Sequence, residues 1–131
     1  MEHFTTSPTE ILLLIFLAIV FLQSGIDKIV DWKGNLSWLT GHFSKTFLKG
    51  MVPILLGTVL VAEMASGILS VLGIHEFLCL GESPFAFYGA MLSAITLLLL
   101  LFGQRVAKDY EGAKTIVIYL VPTLFLVFLL Q

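Results

Sequence analysis

The stretch VLVAEMASG, from Val59 to Gly67, sets a single carboxylate, Glu63, in a run of apolar and small residues. A carboxylate in such surroundings can accept hydrogen bonds, bind a cation or hold a proton. Which of these it does depends on what faces it. Counted along the helices argued below, Gln23, Ser93, Thr96 and Thr123 fall at a depth comparable to that of Glu63, and Ser24 adjoins Gln23. These six residues are the candidates for a ligand-binding polar cavity. Two readings of Glu63 stand side by side: a ligand or proton site, and a neutral acid hydrogen-bonded to Gln23 or Thr96 that fixes helix register. Burial at that depth favours the uncharged form of an isolated acid.

Lys28 and Arg105 form a second candidate set. Both fall near one end of the helices and could hold an anionic headgroup or a partner's carboxylate, the alternative being ordinary snorkelling of two long cations. Lys28 counts about two turns nearer that end than Glu63. It is therefore expected to pair with Asp27, Asp31 or a headgroup phosphate.

Other chemistry has little support. His3, His42 and His75 are dispersed without HxxH or HExxH spacing, so no metal site is expected. No span has a histidine at its centre for haem. Cys79 is the only cysteine, which excludes an internal disulfide and a Cys-x-x-Cys pair. No phosphate-binding loop or nucleophile elbow occurs. No catalytic residue is assigned, no intrinsic cofactor is expected, and the chain is not expected to be an enzyme by itself.

The elements that position these residues follow from composition. Of 131 residues 58% are hydrophobic and 12% charged, with a mean hydropathy of +1.02. A soluble domain of this size cannot bury so much apolar surface, so lipid must cover it. The net charge of −2 and the lack of a basic tail give nucleic acid no footprint. The first ten residues contain no Lys or Arg, and no small-residue cleavage site follows, so the first apolar segment is expected to be retained.

Four spans are expected, at approximately 8–30, 50–73, 84–103 and 110–130, within one domain over 1–131. The first opens on Ser7-Pro8-Thr9-Glu10, a capping box with proline at the first helical position. It is roughly 34 Å long at about 1.5 Å per residue, enough to cross a bilayer core of about 30 Å. Ser83-Pro84 opens the third span and Asp109 the fourth. Between the first two, Trp32, Leu36, Leu39, Phe43 and Phe47 recur at helical steps among lysines and polar residues. That pattern predicts an amphipathic segment of one or two short helices in the interface, with Trp32, Trp38 and Phe43 inserted. The fold class is therefore all-α, a transmembrane four-helix bundle with an interfacial segment between its first two helices.

All 7 basic residues lie in or beside the two connections on one side: Lys28, Lys33, Lys45 and Lys49, then Arg105, Lys108 and Lys114. The positive-inside rule places those connections in the cytoplasm and both termini outside it.

The stretches FLQSGIDKIVDW, VAEMASGILSVLG and FGQRVAKDYEGA resemble the DoxX-like family of small bacterial membrane proteins. Ser24, Gly25 and Lys28 close the first span, Glu63, Ala65, Gly67 and Ile68 occupy the second, and Gln104 and Arg105 end the third. The resemblance implies a four-helix bundle in the bacterial inner membrane. Its namesakes are subunits of a terminal quinol oxidase and of a thiosulfate:quinone oxidoreductase. This chain lacks the extra cysteines of a disulfide-to-quinone enzyme, so any redox group would be borrowed. The expected function is a quinone-associated or lipid-binding accessory subunit of a redox system, with quinone or membrane lipid as ligand. Protein partners would be a redox protein or a second copy of the chain. Two alternatives stand beside it: a structural or interaction protein without ligand chemistry, and a small proton-coupled transporter.

Overall fold

A computed structural model describes residues 2–131, with side chains from Phe4 onward. The helices in chain order are α1 (Glu2–Thr6), α2 (Pro8–Val30), α3 (Trp32–His42), α4 (Val52–Leu80), α5 (Pro84–Val106) and α6 (Tyr110–Leu130), and one 3-10 turn at Lys49–Met51 leads into α4. Among the described residues there is no strand. Helices α2, α4, α5 and α6 are each long and apolar enough to cross a membrane. Of the apolar window of each span only 22% to 39% is buried inside the bundle. The outward side chains, among them Ile19, Val61, Leu98, Val121 and Phe128, need a cover of lipid.

The helix starts show local chemistry at work. Ser83 is extended, accepts from Ala86 N–H at 3.1 Å and donates to Glu76 Oε1 at 2.5 Å, so it both caps α5 and ties that cap to α4. Asp109 accepts from Gly112 N–H at 2.9 Å and caps α6. Ser7 behaves otherwise: Pro8 opens α2 as expected, yet the Ser7 side chain makes no capping bond. The chain reaches it from the preceding turn of α1 with φ −130° and ψ 54°, away from the extended conformation that aims a capping oxygen.

Helix α4 continues past Gly73, where its end was expected, to Leu80. Gly73 serves packing instead: a Cβ there would stand 2.8 Å from Ala86 Cα. The true stop is Gly81, which is left-handed at φ 81° and donates to Phe77 O at 3.0 Å. Small residues set the other seam of α4 as well, since Gly25 faces Met64 and Gly67 faces Leu22. Helix α4 is thus gripped between α2 and α5 at near-backbone distance. The apolar core, including Ile11, Leu14, Leu17, Phe21, Phe77, Leu97 and Leu126, fills the space among the spans.

Helix α3 lies across the end of the bundle where α4 begins. The Trp32 ring reaches within 3.9 Å of a Cβ built on Gly57, and Phe43 within 3.6 Å of one built on Gly103. His42 Nε2 is 3.1 Å from Gln104 Oε1 and 3.7 Å from Asp109 Oδ2. Trp32 and Phe43 therefore turn in toward the bundle, whereas Trp38 is 62% exposed and stacks on His42. Gly34 does not break the helix, because its N–H donates to the Asp31 cap at 3.2 Å.

Candidate functional site

Register explains what meets Glu63. Gly25 packs on Met64 and Gly67 on Leu22, so positions 25 and 64 share a level, as do 22 and 67, on two antiparallel helices. Lys28 then lies about half a turn from the level of Glu63, within reach of a lysine stem. Its Nζ stands 2.8 Å from Glu63 Oε1 and donates to Ser24 Oγ at 2.7 Å. The expected pairing of Lys28 with Asp27, Asp31 or a headgroup is thereby overturned. The expected end of the second span at 73 put Glu63 too deep; the helix runs to Leu80, and Glu63 lies nearer Val52 than Leu80.

Little of this pair meets solvent: the side chains are 17% exposed for Lys28 and 3% for Glu63. The ammonium approaches Oε1 outside the angles of a hydrogen bond, so the contact is one of charge, and Oε1 is a buried oxygen without an aligned donor. Such an oxygen is uncommon and calls for a physical reason.

Glu63 forms part of the wall of a cavity of about 330 Å³ bounded by all four spans. Gln23, Ser24 and Asp27 from α2 complete its polar side, and Leu97, Leu100, Ile116 and Tyr119 from α5 and α6 face them. Gln23 and Asp27, four apart, share one face of α2, as do Ser24 and Lys28. A broader groove of about 710 Å³ runs along the outer face of α4, past Pro53, Gly57, Val61 and Ala65 to Leu92. No titratable side chain lines it, so the smaller cavity is the better candidate for chemistry.

Of the six cavity candidates, Glu63, Gln23 and Ser24 line this space together. Ser93, Thr96 and Thr123 do not line it, although the seam of Gly73 with Ala86 and Gly89 with Ser70 places Thr96 level with Glu63. Each is fully or almost fully buried and donates to a carbonyl of its own helix: Ser93 to Gly89 O at 2.6 Å, Thr96 to Leu92 O at 2.7 Å and Thr123 to Tyr119 O at 2.8 Å. Away from water, the carbonyl four residues back is the acceptor always within reach of a helical hydroxyl. Depth alone does not reveal that.

Lys28 and Arg105 are engaged apart. Arg105 is exposed and lies over the Tyr110 ring at 4.8 Å, while Lys28 is turned to Glu63 and Ser24. Sequence reasoning had treated Asp27 only as a partner for Lys28 and had given Tyr119 no role; the spacing of Gln23 and Asp27 was the available signal for the first. The contact of His42 with Gln104 and Asp109 had no signal in sequence. Among the described residues no three His, Cys, Asp or Glu side chains gather as a metal site requires.

The arrangement can hold the polar end of a small molecule against one buried charge pair and a second carboxylate, with apolar walls around its body. No protein-family model, no curated protein and no solved structure matches this chain.

Proposed function

We propose that the chain is a multi-pass protein of the bacterial cytoplasmic membrane, with both termini outside the cytoplasm, that holds a quinone or a lipid by its polar head in the cavity beside Glu63. In this reading it is an accessory subunit, and a partner protein supplies the redox group. The observation that carries the proposal is the cavity itself, in which a buried, lysine-paired carboxylate meets apolar walls. Its volume of about 330 Å³ sits at the lower end of the range for small-molecule sites. It suits a head group or ring better than a whole lipid. The seam between α2 and α6 is the loosest among adjacent spans, which offers a tail a way into the bilayer.

The orientation rests on the one-sided placement of the basic residues. An interfacial role for α3 is supported by exposed Trp38 and Phe47 beside Lys33, Lys45 and Lys49. Membership of the DoxX-like family is part of the same proposal. Ser24, Lys28 and Glu63, which carry the resemblance in two separate helices, are joined in one cluster, and this supports treating them as a single motif.

The test is to purify the protein in mild detergent, extract it and identify what copurifies by mass spectrometry. A quinone or a specific lipid at near one per chain is expected. An empty protein would favour a second reading that one observation also supports: the Lys28 and Glu63 contact ties α2 to α4 and serves only to hold the bundle together.

A further inference from the structure

We propose that the cavity selects a lipophile whose head group donates hydrogen bonds and bears no net negative charge. This rests on the reading of the cavity as a ligand site and adds the polarity of what it takes.

The polar wall carries more negative charge than positive. Glu63 contributes a carboxylate whose Oε1 is buried beside the Lys28 ammonium at 2.8 Å. Lys28 does not line the cavity: its ammonium donates to Ser24 Oγ and abuts Glu63. Asp27 adds a second carboxylate to the wall, and among the described residues no cation stands within ion-pair distance of it. Two carboxylates thus face the space, beside the neutral groups of Gln23, Ser24 and Tyr119, while the one nearby ammonium is turned to Glu63. An anionic head would enter against net negative charge in a region of low dielectric. A head made only of carbonyl acceptors can draw on neutral donors such as Gln23 and Tyr119 but makes no bond to either carboxylate, and bonds to a charged group are the stronger ones. A hydroxyl or an ammonium can donate to the Glu63 or the Asp27 carboxylate where the wall presents it. Both share the chemistry the wall requires.

Three photoactivatable probes with the same alkyl chain, ending in an alcohol, a primary amine or a carboxylate, test this on the intact protein in lipid nanodiscs. Labelled positions are read by peptide mass spectrometry. The alcohol or amine probe is expected to label cavity positions such as Val20 and Ile116 at least about tenfold more than the carboxylate probe, the scale set by one hydrogen bond to a charged group. Stronger labelling by the amine assigns an ammonium head; stronger labelling by the alcohol assigns a hydroxyl. Glu63→Gln replaces one acceptor oxygen by a donor and should bring the preference below about threefold. Where that variant loses helicity or monodispersity, Asp27→Asn, at the exposed part of the wall, serves in its place and should lower amine labelling relative to carboxylate labelling. Carboxylate labelling equal to or above the others overturns the selectivity and leaves the ligand site standing. Absence of cavity labelling by all three overturns both.

Discussion

The two partners of the buried charge pair should differ in how much their loss costs. Glu63 is 3% exposed and lies well inside α4, whereas Lys28 is 17% exposed and lies in the last turn of α2. Removing one member of a buried pair typically costs about 3–5 kcal/mol, because the other is left unpaired. With Glu63→Leu, the Lys28 ammonium can straighten toward the nearby end of the bundle and recover water, so the cost should fall to about 1–2 kcal/mol. With Lys28→Met, the Glu63 carboxylate has no such path, and about 3 kcal/mol is expected. The double variant Lys28→Met/Glu63→Leu removes both charges and should lie within about 1 kcal/mol of the wild type, a coupling of about 3–5 kcal/mol. Reversible unfolding in mixed micelles, followed by tryptophan fluorescence and helicity, measures all four corners of the cycle. Additive single effects, or a Lys28→Met variant as stable as the wild type, would refute the reasoning.

Other consequences can be checked independently. Gly73→Ala would place a Cβ 2.8 Å from Ala86 Cα and 3.1 Å from its N, both backbone, so α4 and α5 must separate; a loss of about 1–3 kcal/mol is expected in the same unfolding assay. Gly41→Ala, with nothing within 4 Å, should be neutral or gain about 0.5–1 kcal/mol. A reporter active only in the cytoplasm, fused after Gln131, should be silent, while the same reporter in the connection near Lys108 should be active. In a Trp32→Phe background Trp38 is the only tryptophan left; its fluorescence should be quenched by brominated lipid more than by iodide, and the reverse order would place α3 in water rather than in the interface.

How much of this was legible in the sequence differs by level. The spans were, because apolar length and the Ser83-Pro84 and Asp109 caps are local signals. The end of α4 was not: Gly73 and Gly81 look alike in sequence, and only the backbone of α5 shows that one is a packing contact and the other a left-handed stop. That misplacement propagated to the site, since it moved Glu63 too far from Lys28. Polar residues recur along the spans, but a hydroxyl that can bond its own helix gives no sign of its direction. Glu63 has no such local acceptor-to-donor solution, and that is why it alone among the midspan candidates drew a charged partner from another helix. The docking of α3 through His42 depends on a contact across 62 residues of sequence, beyond any local pattern.

The occupancy of the cavity is the central claim, and native mass spectrometry of the protein released from nanodiscs tests it most directly. Ile116 lies on the cavity wall, so Ile116→Trp should obstruct the space while leaving Lys28 and Glu63 together. The account predicts that the wild type carries one bound lipophile that survives gentle activation and that Ile116→Trp, equally helical and monodisperse, carries none. A bare wild-type mass, or the same adduct retained in both proteins, would contradict it.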